Sequence, residues 1–144
     1  LEFRRVLFRS GMSVYLNIEL PYPNRILFPN GRAHWRARAK SAKAYRAAGF
    51  FFTSQAIGRG PKPKIPEEGK VGVRLTFYPP DHRQRDEDNQ LAAMKSALDG
   101  VADALGINDK KFHILEPTFK EEVVRGGKVV VTLDFLPRTN KKAA

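Results

Sequence analysis

The sequence contains no cysteine, which excludes disulfide bonds and thiolate metal sites. A chain without disulfides fits a reducing compartment, so we expect a cytoplasmic protein. No apolar run approaches the roughly 20 residues that a membrane-spanning helix needs, and we expect no membrane partner. The three histidines lack metal-ligand spacing, so no pair of them is a candidate metal site.

Acidic residues are missing from a long stretch of the N-terminal half, between Glu19 and Glu67. The whole chain carries a formal net charge of +11. A basic half predicts a polyanionic partner, with nucleic acid favoured over an anionic membrane surface. The alternative is a chain that is merely basic and soluble.

Length and composition predict one folded domain, since the chain has 144 residues and 42% of them are hydrophobic. We expect Leu1–Gly11 to be a cloning or upstream-translation remnant, with Met12 as the native start. The domain is then expected over residues 12–136, followed by a flexible basic tail over residues 137–144.

Hydrophobic periodicity predicts the element order β, α, β, α, β, β. The predicted elements are a strand over 14–20, a helix over 36–57, a strand over 70–78, a helix from Asp88 or Asn89 to Leu105, and two strands joined by a tight hairpin at 125–128. Gly106 is expected to end the second helix in a left-handed conformation. The pattern predicts a single-domain α+β fold, with a mixed sheet packed against two main helices.

The first predicted helix has a basic stripe made of Arg36, Lys40, Lys43 and Arg46. Tyr45, Phe52 and Ala56 fall roughly opposite this stripe, so one face is expected to pack on the core while the other meets phosphates. A merely solvated basic face is the alternative. Trp35 is expected to have a core or capping role, with stacking on a base as the alternative.

The stretch "RQRDEDNQL" (83–91) places carboxylates close together in a chain that is otherwise basic. Two carboxylates about 5 Å apart repel by roughly 3 kcal/mol at an effective dielectric near 20. A hard cation relieves this repulsion, and oxygen ligands suit Mg²⁺ or Mn²⁺. Asp86 and Asp88 are therefore candidate metal ligands, and Asp109 joins them only if the loop after Gly106 folds back. The alternatives are helix caps and surface charge, or a glycosyltransferase D-x-D motif.

Lys95 lies beside the apolar stripe of the second predicted helix. If the metal ion acts on a phosphodiester of a nucleic acid, a lysine there contacts the phosphate that is cut or the attacking water. The alternative is an ordinary surface pair with Asp99.

The run "RDEDNQLAAMKSALDGVADALGINDKKF" (85–112) resembles the RusA family of Holliday-junction resolvases. The earlier "LPYPN" and "SAKAYRAA" (41–48) and the closing "GGKVVVTL" (126–133) are also similar to family members. The resemblance extends over residues 14–133, nearly the whole chain.

The resemblance implies a homodimeric, Mg²⁺-dependent endodeoxyribonuclease that resolves four-way junctions by paired symmetric nicks in DNA recombination and repair. It implies that Asp86, Asp88 and Asp109 are the catalytic carboxylates that hold Mg²⁺, with Mn²⁺ as an alternative, while water attacks phosphorus in line. Ala92 stands where the best-known members have a lysine, so Lys95 takes that catalytic role only by approximate position. Asn108 replaces the first Asp of the usual pair.

Further basic residues are expected to contact the DNA backbone: Arg83 and Arg85 beside the acids, and Arg125 and Lys128 at the predicted hairpin. Two other functions fit the same residues. One is a basic DNA-binding protein without catalysis, and the other is a related nuclease that acts on other branched DNA.

Overall fold

A computed structural model of the chain describes residues 5–7, 14–29, 34–59, 62–65 and 69–135. The predicted start at Met12 and the predicted tail over 137–144 lie outside these ranges. Arg5–Leu7, within the predicted remnant, forms a short edge strand in the structure.

Six strands and three α-helices are described. They are β1 (Arg5–Leu7), β2 (Val14–Pro21), α1 (Trp35–Ile57), β3 (Val71–Tyr78), α2 (Glu87–Ala92), α3 (Lys95–Leu105), β4 (Phe112–Ile114), β5 (Thr118–Phe119) and β6 (Lys128–Asp134). Two 3₁₀ turns, Arg25–Leu27 and Asp109–Lys111, lie between them.

The sheet has the order β1-β2-β6-β3-β4, and β5 also pairs with β3. β6 is antiparallel to both β2 and β3, whereas β4 and β5 run parallel to β3. The chain is therefore a single-domain α+β protein with a mixed sheet, as the sequence predicts. None of the helices in the described residues is long and apolar enough to cross a membrane.

The core lies between one face of the sheet and the helices α1 and α3. Alternate residues of β2, β3 and β6 are almost fully buried, as their period-two pattern predicts: Leu16, Ile18, Leu20, Val71, Val73, Leu75, Phe77, Val129, Val131 and Leu133. From the helices, Tyr45, Met94, Ala97 and Val101 complete the same cluster. Tyr45 also donates a hydrogen bond of 2.6 Å to the carbonyl oxygen of Pro21, which fixes α1 to the end of β2.

Two glycines allow α1 and α3 to pack so closely that the backbone of one helix contacts the backbone of the other. A Cβ on Gly49 would lie 2.1 Å from the carbonyl oxygen of Ala97, and a Cβ on Gly100 would lie 1.9 Å from that of Arg46. No larger residue fits at either position without moving a helix. This crossing places the basic helix α1 directly beside α3 and its acidic residues.

The prediction of one continuous helix up to Leu105 is wrong. The helix is interrupted at Ala93 and Met94, which separate α2 from α3, and Asp86, rather than Asp88 or Asn89, caps α2. The hydrophobic repeat continues through the interruption because Met94 is itself fully buried, and neither glycine nor proline marks it. The predicted end is confirmed, since Gly106 adopts φ +73°.

The predicted hairpin between the last two strands is also wrong. β5 and β6 lie on opposite sides of β3 and do not pair with each other. Gly126 and Gly127 do form a turn with positive φ angles, but this turn leads the chain across β3. Periodicity identifies strands without identifying their partners, and a glycine pair does not show which strands it joins.

Two aromatic predictions on α1 are wrong as well. Phe52 is 36% exposed and Trp35 is 67% exposed, so neither is a core residue. His34 caps α1 instead, since its Nδ1 accepts a hydrogen bond from the amide of Arg36.

Candidate functional site

Asp86 stands where the crossing from β3 ends and α2 begins. Its Oδ1 accepts hydrogen bonds from the backbone amides of Asp88 at 2.8 Å and Asn89 at 3.3 Å. This is the usual bonding of an N-cap, and it satisfies two amides that have no partner within the helix. It also places the carboxylate of Asp86 against the backbone amide of Asp88, whose own side chain is exposed in the same turn.

A network centred on Tyr22 holds this turn against the sheet. The Tyr22 hydroxyl donates to the side-chain oxygen of Gln90, which is buried behind Asp86, and the Tyr22 ring packs edge-on against Phe77. The guanidinium of Arg85 lies 5.5 Å from the centre of the Tyr22 ring. The proline-rich segment after β2 therefore positions the acidic turn.

Arg85, expected to contact DNA, has its donors engaged within the crossing. It forms an ion pair of 2.9 Å with Asp81 and donates a hydrogen bond of 3.0 Å to the carbonyl oxygen of Arg83. Hydrogen bonds from the Arg83 amide and from Arg85 hold the pKa of Asp81 below its usual range. Arg85 thus shapes the loop, whereas the side chain of Arg83 is exposed.

A cleft of about 230 Å³ opens beside the acidic turn. Its lining combines opposite charges, two amide side chains and an aromatic ring: Arg25, Arg83, Arg85, Asp86, Gln84, Asn89 and Phe28. Cations and a candidate metal ligand thus share one concave surface.

Lys95, the first residue of α3, lies between two carboxylates. Its Nζ is 3.0 Å from Asp99 and 3.0 Å from Asp109. The loop after Gly106 therefore folds back far enough to bring Asp109 alongside α3. Hydrogen bonding from Lys95 lowers the pKa of Asp109, and the two carboxylates, Asp109 first, raise the pKa of Lys95. The surface pair with Asp99 that the spacing allows is present, and Asp109 extends it.

The candidate metal ligands suit a hard cation by atom type but not by arrangement. Asp86, Asp88 and Asp109 offer the oxygen ligands that Mg²⁺ prefers. However, no three histidine, cysteine, aspartate or glutamate side chains in the described part of the chain are arranged to hold a metal ion. The structure places Asp86 and Asp88 together at α2, while Asp109 is bound to Lys95.

The residues predicted to contact phosphates fall into two groups. Arg36, Lys40, Lys43 and Arg125 are exposed. Arg46 instead forms a two-pronged ion pair with Asp103 on α3, at 2.7 and 2.9 Å. The Nζ of Lys128 forms an ion pair of 3.5 Å with Oε2 of Glu19 and lies 4.9 Å from the ring centre of Tyr78.

Sequence reasoning missed several residues of this region. Arg25 and Phe28 line the cleft from more than 50 positions before Asp86, and only the acid-free character of their segment hinted at a role. Asp103 is separated from its partner Arg46 by 57 positions, and no spacing rule connects them. Only the fold brings these side chains together.

The fold and the site define a single-domain α+β protein with an acidic turn set in a basic surface. No protein-family model matches the chain. An uncharacterized protein of Xylella fastidiosa (strain Temecula1 / ATCC 700964) is 37% identical over 124 residues, which cover 86% of this chain and 79% of that protein. The chain belongs to the same family as this Xylella protein.

Proposed function

We propose that the chain is a Mg²⁺-dependent, RusA-like endodeoxyribonuclease that resolves four-way DNA junctions by paired symmetric nicks. The observation that carries this proposal is the cleft in which Asp86 lies among Arg25, Arg83 and Arg85. A polyanion attracted by the arginines is thereby brought to a carboxylate that alone would repel it. The proposal also draws on the motif similarity described above.

The exposed basic residues of α1 bind the DNA backbone in this proposal. Arg36, Lys40 and Lys43 carry no acidic neighbour in sequence, and the chain has an overall charge of +11. Such contacts release counterions, so binding depends steeply on salt. Arg46 has a different role, because Asp103 already neutralises it.

Asp86 and Asp88 would hold the metal ion, with Asp109 as the third ligand that the motif similarity suggests. The ion, when bound, neutralises charge on phosphate oxygens and lowers the pKa of water. The backbone amides of α2 keep Asp86 in place. Lys95, whose exposed ammonium group pairs with Asp99 and Asp109, would supply a positive charge beside this site.

Paired nicks need one site for each of two symmetric strands, and we propose a cytoplasmic homodimer. Light scattering should then give twice the chain mass of 16.3 kDa. A stable monomer that still makes paired nicks would contradict this part of the proposal.

The test compares a synthetic four-way junction with a linear duplex of the same sequence, with and without Mg²⁺. We expect tighter binding to the junction, a loss of roughly 10³-fold in affinity between 50 and 200 mM salt if at least six phosphates are contacted, and nicks at symmetric positions only with Mg²⁺. Preferred cleavage of flaps or forks in a substrate panel would indicate the related nuclease instead.

A second candidate is a DNA-binding protein without catalysis. It is favoured by the capping role of Asp86 and by the ion pair of Asp109, which together account for two acids without a metal. It predicts junction binding that Mg²⁺ leaves unchanged and no cleavage in any metal.

A further inference from the structure

The cleft beside Asp86 has a combination of groups that the proposed hydrolysis does not require. Phe28, after the first 3₁₀ turn, and Asn89, in α2, face the same space as Arg25 and Arg83. Phe28 is half-buried, and its carbonyl oxygen accepts a hydrogen bond of 3.2 Å from Arg38 on α1. The aromatic wall is thus tied to the helix.

Two of the three arginines in the cleft are available to an anion. Arg85 is held by Asp81, whereas within the described residues neither Arg25 nor Arg83 forms an ion pair through its side chain. Guanidinium groups bind phosphate through paired hydrogen bonds. Arg25 and Arg83 are therefore suited to bind a phosphate group in the cleft.

Two other lining residues, Phe28 and Asn89, suit a nucleobase. Aromatic rings such as Phe28 provide stacking surfaces that accept any base. The Asn89 amide carries both donors and an acceptor, which can pair with a base edge. The volume of about 230 Å³ is below the roughly 300–1,000 Å³ of pockets for drug-sized ligands, so one nucleotide fits better than a longer segment.

We infer that this cleft binds one unstacked deoxynucleotide of the strand to be cut, with its phosphate on Arg25 and Arg83 and its base against Phe28. The inference rests on the proposed function for the origin of the nucleotide. It adds a binding site for a base that has been displaced from its pair at the centre of a branched substrate.

The first experiment titrates the full-length protein with thymidine 5′-monophosphate, without metal, and follows backbone amide signals by NMR. Thymidine and deoxyribose 5-phosphate serve as probes that lack the phosphate and the base. We expect saturable shifts at Phe28, Arg83 and Asn89 and at least about 10-fold weaker binding of either partial probe, since stacking on one aromatic ring contributes about 10- to 100-fold. Equal binding of the nucleotide and deoxyribose 5-phosphate, or no saturable shift at these amides, would overturn the inference.

Variants separate the base contact from the phosphate contact. Phe28→Leu keeps an apolar side chain and removes the ring, and Arg25→Gln removes one charge. Each should weaken nucleotide binding about 10-fold or more. Phe51→Ala and Arg74→Gln alter an exposed aromatic and an exposed arginine that do not line the cleft, and should leave binding unchanged. Unchanged binding by both Phe28→Leu and Arg25→Gln would refute the site.

A second arm distinguishes a strand from a free nucleotide as the natural ligand. Junctions with and without one abasic residue at the branch point are compared for affinity, again without metal. Weaker binding of the abasic junction by the wild type, and no such difference for Phe28→Leu, supports a nucleotide of the strand. Equal affinity of the wild type for both junctions contradicts it. Cleavage is not measured in either arm, so a failure of the proposed nuclease activity remains distinguishable from a failure of this site.

Discussion

Replacing Gly100 by alanine tests the helix crossing on which the whole arrangement depends. The added Cβ would lie 1.9 Å from the carbonyl oxygen of Arg46 and 2.8 Å from the amide nitrogen of Phe50. Ordinary contacts between heavy atoms are about 3.5 Å, so α1 and α3 would have to separate by about 1.5 Å. No side-chain rotation relieves this clash, because the opposing atoms belong to the backbone.

The expected change in stability follows from two opposing contributions. Alanine favours a helix over glycine by about 1 kcal/mol. Overpacking a close contact costs typically about 1–3 kcal/mol, and a backbone clash belongs at the upper end. We therefore expect Gly100→Ala to lower the free energy of unfolding by about 2 kcal/mol, which corresponds to a Tm decrease of roughly 8 °C for a domain of this size.

Urea and thermal unfolding of the two proteins measure this difference. Gly72→Ala is the matched control, since its Cβ would lie 3.4 Å from the nearest atoms, those of Asp134 and Leu115, in ordinary contact. The control should stay within about 1 kcal/mol of the wild type. If Gly100→Ala were as stable as the wild type, the close approach of α1 and α3 would be refuted.

Three further predictions concern helix α1. Thr53→Val should stabilise the protein by about 1 kcal/mol in urea unfolding, because the Thr53 hydroxyl is fully buried with no hydrogen-bond partner among the described residues; a loss of stability would contradict this. Burial raises the pKa of Tyr45, so the folded protein keeps a proton that the unfolded chain releases near pH 10. The free energy of unfolding should therefore fall above that pH by up to about 1.4 kcal/mol per pH unit. Unfolding curves from pH 9 to 11 should show a shallower fall for Tyr45→Phe, and an equally steep fall would refute the assignment. Lys40→Ala should weaken junction binding and lower the salt slope of binding by about 1 without changing Tm. Arg46→Ala should instead lower Tm, because it leaves Asp103 unpaired. If both variants affected binding equally and left Tm unchanged, the distinction between a DNA-binding Lys40 and a structural Arg46 would be contradicted.

The sequence predicted the layers of the fold better than their connections. Alternation in β2, β3 and β6 and the glycine at Gly106 reflect local rules, and the structure confirms them. The interruption at Met94 was not predictable, because a buried residue there continues the hydrophobic repeat. The partner of β6 was not predictable either, since strand pairing is determined by contacts between distant parts of the chain.

For the candidate site, the sequence identified the acidic turn but not its surroundings. Asp86 and Asp88 are close in the chain, so their proximity needed no fold. The sequence predicted a possible pair of Lys95 with Asp99. It could not show that Lys95 also forms an ion pair with Asp109, the third candidate metal ligand. Arg25 and Phe28 line the cleft together with Asp86 although they precede it by more than 50 positions, so only the fold reveals this arrangement.

The most direct measurement of the central claim is junction cleavage in Mg²⁺ by three neighbouring variants, Asp86→Asn, Glu87→Gln and Asp88→Asn. Glu87 is exposed and has no assigned role, so it is the matched control between the two candidate ligands. Symmetric cleavage by the wild type and by Glu87→Gln, with loss of cleavage but retained junction binding in Asp86→Asn and Asp88→Asn, is the predicted result. Wild-type-like cleavage by Asp88→Asn, or no cleavage by any of the four proteins, would contradict the account.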